Sequence, residues 1–200
     1  GKQATQPELP KPEDECIVWG AIKEKKDPYS WMYLSGKALE KYIQEEIEND
    51  NRLDLSVSKR LSKPDKLVQE YLRVEEEREK ARKRGKYLSG YDNPTISIST
   101  SKEQHARALR FMDCLIKNLR LRGHRFKIRN HHYEICIYGV SYPFSLREVN
   151  KRVPRSDSWG SDYIPTGKLA LKIDRWSGKE WQDQKTLTIE DKVSEIIARI

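Results

Sequence analysis

Apolar residues recur along this chain with two different periods, and each change of period marks an element. In GKQATQPELPKPEDE (1–15) neither period is present, and three prolines among charges make an extended Pro-rich linker. CIVWGAI (16–22) is a short apolar run, and DPYSWMYL (27–34) is turn-like, then aromatic. Over 35–50, Leu39, Tyr42, Ile43 and Ile47 share one face at helical spacing. RLDLSVS (52–58) alternates Leu53, Leu55 and Val57 and predicts a half-buried strand. A helix is predicted over 63–87, with Pro64 in its first turn and Leu67, Val68, Tyr71 and Leu72 as its stripe. Beyond Glu75 the stripe dissolves into charges of both signs, the pattern of a solvated helix end.

The second half is clearer. TISIS (95–99) alternates as a short strand. Thr100 and Glu103 form a T-x-x-E capping box for a helix whose face is Leu109, Met112, Ile116 and Leu119, flanked by Ala108 and Leu115. Gly123 stands where a left-handed C-terminal residue belongs. HRFKIR (124–129) puts Phe126 and Ile128 on one face and Arg125, Lys127 and Arg129 on the other. NHH (130–132) reads as a turn. YEICIYG (133–139) separates Tyr133, Ile135 and Ile137 from Cys136 and Tyr138. SYPFSLREV (141–149) is a third strand, and Pro143 assigns it an edge or a bulge. Residues 151–165 and SGKEWQDQK (177–185) read as loops, and GKLALKIDRW (167–176) as a strand with Leu169, Leu171 and Ile173 inward. The chain closes on a helix over 188–200, capped by Thr188 with Asp191, with Ile189, Val193, Ile196, Ile197 and Ile200 as its stripe.

Short links between consecutive strands favour antiparallel pairing, and two amphipathic helices need one sheet face to cover. The expected fold class is α+β: a two-layer antiparallel sheet covered by helices, with a mostly helical N-terminal half. The expected organisation is a linker at 1–15, a mostly helical region at 16–94 packed on the next domain, and an α+β domain at 95–200.

Composition adds a setting. Apolar residues are 36% and charged residues 35%, with 5 Trp, 10 Tyr and 3 Phe to build a core. No apolar stretch approaches the roughly 20 residues that cross a membrane, and 1–15 lacks the apolar centre of a secretory signal. Opening on Gly1 rather than Met, the chain fits a fragment of a longer protein. Cys16, Cys114 and Cys136 are odd in number and scattered, so buried thiols in a reducing cytoplasm are expected.

Charge changes the picture most. The net charge is +8, but residues 1–100 balance and 156–200 are slightly acidic. Residues 101–155 hold 13 Lys and Arg against 4 Asp and Glu, so the whole basic excess lies in one segment. Such concentration matters for anionic partners more than the total does.

The candidate chemistry is sparse. His105, His124, His131 and His132 come without CxxC or HxxxH, and adjacent His131 and His132 on a strand point to opposite faces. Cys136 lies four residues beyond His132, too few ligands for zinc, so neither a metal nor a cofactor is expected. No nucleophile elbow, P-loop or dinucleotide fingerprint occurs; PTGK (165–168) is a turn leading into a strand. A Mg²⁺-dependent nuclease would need carboxylates and a Lys on adjoining strands, for which Glu134, Glu148, Asp174 and Lys172 are candidates. The basic segment offers the stronger reading. Arg125, Lys127 and Arg129 on one strand face, with Arg120 and Arg122 at the preceding helix end, are candidate phosphate contacts, and Tyr133 and Tyr138 candidate stacking groups.

LSKPDKLVQEYLR, HARALRFMDCLIKNLRLRGHRF, YGVSYPFSLREVNKRV and the closing YIPTGKLALKIDRW…KEWQDQKTLTIEDKVSEIIARI resemble, in order and spacing, a family of uncharacterised bacterial proteins. Its longer members carry a helix-turn-helix-like segment and a Pro-rich stretch before this region. The resemblance spans about 1–12 and 55–200; residues 16–50 have no counterpart. It implies a DNA-associated context and carries no catalytic residues. The expectation is therefore a non-enzymatic accessory or effector domain that binds nucleic-acid backbone through a basic face. A Mg²⁺-dependent nuclease using Glu134, Asp174 and Lys172 is the first alternative. A structural module that forms a homodimer through the C-terminal helix stripe is the second.

Overall fold

The computed structural model describes residues 32, 34–86, 93–155, 160–173 and 179–200. Helices α1 (Gly36–Glu48) and α2 (Lys66–Lys83) precede strand β1 (Ser97–Ser99) and the long helix α3 (Lys102–Leu121). Strands β2 (Arg125–Arg129), β3 (His132–Ile137), β4 (Val140–Pro154), β5 (Ser161–Ile173) and β6 (Glu180–Gln182) come next, then a 3₁₀ turn and helix α4 (Val193–Ala198). The fold is α+β, as expected. The apolar run at 16–22 and the aromatic stretch from 27 lie largely outside the described residues.

The sheet runs β2-β3-β4-β5-β6 with antiparallel neighbours, and β1 adds to β4 in parallel. Its turns obey backbone chemistry. Asn130 and His131 take φ of 48° and 66°, and Tyr138 and Gly139 take 50° and 79°. Paired left-handed residues are what a tight hairpin of right-handed twist requires. The first turn is therefore Asn130–His131, and His132 opens β3. Gly123 at φ 88° ends α3; its N–H donates to Arg120 O, and that of His124 to Leu119 O. This is the double closure of a Schellman motif.

One continuous cluster joins Ile47, Val68 and Tyr71 of the first two helices to Ile135, Leu146, Leu169 and Leu171 of the sheet. Between these layers lies α3. Its predicted stripe is buried, and so are Phe111 and Cys114 on its other side. That second side is covered by residues 52–61, where the alternation of Leu53, Leu55 and Val57 predicted a strand. The segment is irregular, with bends at Ser56, Lys59 and Arg60, and pairs with no strand; its carbonyls find side chains instead. Asn118 Nδ2 donates to Asp54 O at 2.7 Å, and Cys114 Sγ lies 3.7 Å from Ser56 O. Period-two alternation reports which residues are buried and is silent on whether a helix or a strand buries them.

Two expected loops are strands. Residues 151–165 supply the distal arms of β4 and β5, and β6 falls within 177–185, with Trp181 buried. Pro143 lies within β4, a central strand, opposite Glu134 of β3. The helix is capped one residue later than predicted and without the reciprocal half of a box: Ser101 Oγ accepts from Gln104 N, while Thr100 Oγ1 and Gln104 Oε1 are buried without partners. Thr100-x-x-Glu103 and Ser101-x-x-Gln104 overlap, and Ser101 N–H donating to Glu148 Oε2 at 2.8 Å selects the later one. In α2 the cap is Asp65, which puts Pro64 before the helix rather than in its first turn.

Two buried carboxylates tie the layers together. Glu148 accepts from Ser101 N and, through its other oxygen, from Gly167 N at 2.8 Å. Burial alone would raise its pKa, but these donors outweigh it and hold the carboxyl below its ordinary range. Asp183 accepts from Leu169 N, Ile189 N and both Nη groups of Arg107. The stripe of α4 is buried against its own chain: Ile189, Val193, Ile196 and Ile197 are at most 2% exposed. It is therefore not a free surface for a second copy.

Candidate nucleic-acid interface

The sequence-predicted cations divide into two groups. On β2, alternation turns Phe126 inward, where its ring centroid lies 5.8 Å from that of Phe144. Arg125, Lys127 and Arg129 turn to the opposite, outer face, and all three are exposed. None has a carboxylate within ion-pair distance among the described residues. Their register partners on β3 are Cys136, Glu134 and His132. Glu134 stands directly opposite Lys127; it is 5% exposed, and its Oε2 has no hydrogen-bond partner. On the same outer face, Ser145 aligns with Lys172 and Arg147 with Ala170. Lys172 is exposed, whereas Arg147 reaches Glu180 at 2.6 Å.

Arg120 and Arg122 do not join this row. The Nε of Arg120 is 2.8 Å from Asp65 Oδ2, and its guanidinium lies 5.1 Å from the Phe126 centroid, toward the inner face. Arg122 is half-buried; burial lowers its pKa against the pull of Asp50 and Glu46, and its Nε is unpartnered. Nor do the aromatic candidates flank the row. Tyr133 faces inward and donates to Glu70 Oε2 at 2.7 Å; burial and that carboxylate push its pKa up to about 12. Tyr138 belongs to a turn rather than a strand face and is 64% exposed.

The nuclease constellation is also dispersed. Glu134 and Lys172 share the outer face, but β4 runs between them, with Pro143 opposite one and Ser145 opposite the other. Glu148 is on the inner face, bound to backbone donors, and Asp174 lies outside the described residues. Among the described residues no group of three His, Cys, Asp or Glu side chains is placed to hold a metal ion. His124, expected only as one of four scattered histidines, is buried; burial and the Arg122 charge bring its pKa down to about 4.

A pocket of about 160 Å³ opens between residues 52–61 and α3. Arg52, Arg60, Arg110 and Lys117 line it above Cys114 and Asn118. Two of the cations are matched, Arg52 by Asp50 at 2.7 Å and Lys117 by Asp113 at 2.6 Å. Burial pushes the Cys114 thiol up to about 11, so it is an inert thiol at neutral pH.

No family model, curated protein or solved structure matches this chain. No helix among the described residues is long and apolar enough to cross a membrane.

Proposed function

We propose that this chain is a non-enzymatic accessory or effector module of a bacterial DNA-associated protein, acting in the reducing cytoplasm. In this reading it holds nucleic-acid backbone on a basic sheet face formed by Arg125, Lys127 and Arg129, with Lys172 on the same face but across β3 and β4. The observation that carries the reading is that three cations at alternate positions of one exposed strand lack carboxylate partners among the described residues. Cations already paired on a surface gain little by exchanging one anion for another. Unpaired ones release counterions from phosphate when they bind, and a strand holds their spacing without further ordering. Among the described residues, Cys114 is a buried thiol outside any disulfide, which supports a reducing setting.

The test is duplex retention as a function of salt. Three phosphate contacts predict that affinity falls about 40-fold between about 50 and 200 mM salt, from a slope near −0.9 per contact. Arg125→Glu, Lys127→Glu and Arg129→Glu together should abolish retention at low salt without lowering the melting temperature. Undiminished retention by that variant would refute the reading. The alternative of a Mg²⁺-dependent nuclease is supported by one feature, the buried and unpartnered Glu134 carboxylate on the same face as Lys172. Plasmid nicking with and without EDTA separates the two; nicking abolished by Glu134→Gln would favour the enzyme.

A further inference from the structure

Besides its cations, strand β2 carries an open edge. The hairpin turn at Asn130–His131 has two residues, which makes the flanking pair, Arg129 with His132, a hydrogen-bonded one. Bonded and non-bonded pairs alternate from there. Lys127 with Glu134 and Arg125 with Cys136 are therefore bonded, whereas Ile128 with Tyr133 and Phe126 with Ile135 are not. The phase is visible on β3, where the Tyr133 N–H turns away from β2 and donates to Thr95 O at 3.3 Å. On β2 the N–H and C=O of Phe126 and Ile128 consequently point away from β3, and no described group meets them. An edge of that kind is a template for one more strand.

The side chains decide which strand fits. Residues directly opposite one another in a sheet share a face. A strand laid antiparallel on β2 puts alternate side chains opposite Arg125, Lys127 and Arg129 on the outer face, and the intervening ones beside Phe126 and Ile128 on the inner face. The outer positions fall in the non-hydrogen-bonded pairs, where side chains approach most closely. Arg125, Lys127 and Arg129 are exposed without a carboxylate partner among the described residues, and Ile128 is 56% exposed although it shares a face with half-buried Phe126. The complementary strand is therefore acidic, apolar, acidic, apolar, acidic. A second copy of β2 does not meet that pattern. With its apolar side turned the same way, each cation faces a cation, which destabilises the pair. The row repels its own kind and selects an anionic strand.

We propose that the edge of β2 takes an extended acidic peptide of a protein partner as an added strand and, resting here on the reading that the same cations hold phosphates, that this strand and nucleic-acid backbone occupy the row in turn. Backbone donors and acceptors of Phe126 and Ile128 hold the peptide main chain, and its alternate carboxylates meet Arg125, Lys127 and Arg129. Each cation paired in this way gains little from a phosphate, so the added strand releases the duplex.

The experiment uses the full chain and fluorescein-labelled peptides, followed by anisotropy at low salt. The probe is Gly-Glu-Val-Glu-Val-Glu-Gly. Its controls keep charge and composition. One gathers the glutamates together, one is N-methylated at both valines, whose N–H groups face β2, and one is N-methylated at the central glutamate, whose N–H faces away. The probe should bind at least about tenfold more tightly than the first two controls and within about threefold of the last. Equal binding by the valine-methylated peptide leaves charge attraction alone and overturns strand addition, as does failure of the probe to bind. Arg125→Glu, Lys127→Glu and Arg129→Glu together should lose the probe and gain Gly-Lys-Val-Lys-Val-Lys-Gly, a gain that mere loss of folding does not produce; its absence counts against the inference. A labelled DNA duplex tests the competition. Unlabelled probe should release it, and the valine-methylated peptide should leave it bound; duplex and probe bound together would overturn the alternation. Probe binding with no duplex retention refutes the backbone reading and leaves the added strand standing. Duplex retention with no probe binding does the reverse.

Discussion

The basic segment has two halves with opposite electrostatic fates. On α3, Arg107 sits between Asp183 at 2.7 Å and Glu190, Lys117 holds Asp113 at 2.6 Å, and Arg120 holds Asp65 at 2.8 Å. On β2, a few residues later, Arg125, Lys127 and Arg129 have no such partner among the described residues. The difference comes from the layer each element occupies. Helix α3 is packed on several sides, so Arg107 and Arg120 snorkel out at seams where carboxylates from distant parts of the chain meet them, while Lys117 pairs within the helix. Strand β2 is the last strand in the sheet path, and its outward side chains Arg125, Lys127 and Arg129 are exposed. A charge count sees 13 cations in one segment. The fold converts part of them into internal ties and leaves part as surface.

The largest effect that would break this contrast is at Arg107. Arg107→Met strands the buried Asp183 and should cost about 3–5 kcal/mol in urea unfolding; a loss under about 1 kcal/mol would erase the distinction between the halves. The same site sets acid lability. Burial raises the Asp183 carboxyl, but Arg107 and the Leu169 and Ile189 N–H groups outweigh it and hold it below the ordinary range. A depressed acid contributes fully above its unfolded value, near 4, and that contribution is lost as pH falls through the lower folded value.

Next comes His124, at the junction of the two halves. It is held neutral, with a pKa of about 4 against an ordinary 6.5, so the unfolded chain binds the extra proton between those values. Stability should therefore fall by roughly 3 kcal/mol as pH drops from about 6.5 to 4. His124→Gln should flatten that slope; an unchanged slope would assign the proton elsewhere. A smaller effect is expected at Asp65, which caps α2 by accepting from Leu67 N at 2.9 Å and also holds Arg120. Asp65→Ala should cost about 1–2 kcal/mol by thermal melting. The smallest effect sharpens the contrast from the other side. Arg125→Gln, Lys127→Gln and Arg129→Gln should each change stability by less than about 0.5 kcal/mol. A larger loss at any of them would reveal a structural tie like those of α3.

Legibility tracked the range of the interactions involved. Alternation in HRFKIR placed Phe126 inside and Arg125, Lys127 and Arg129 outside without reference to anything distant, because side-chain direction in a strand is local. Gly123 and the Asn130 turn were readable for the same reason: each needs a left-handed backbone that its own residue type tolerates. Residues 151–165 read as a loop because their Ser, Asp, Gly and Pro content outweighed a weak alternation. A two-stranded ribbon with no buried face has no hydrophobic pattern to betray it.

The sequence by itself determined the Gly123 end of α3, the α+β class and the crowding of cations into 101–155. Only the tertiary structure decided which of those cations are neutralised, since Asp65, Asp183 and Glu190 reach α3 across 55 to 83 residues of chain. It also decided that Leu53, Leu55 and Val57 cover a helix instead of pairing in a sheet, and that Glu134 is buried opposite Lys127. Backbone preference and side-chain alternation are properties of neighbouring residues. Coulombic pairing and burial depend on distance in space, which folding sets.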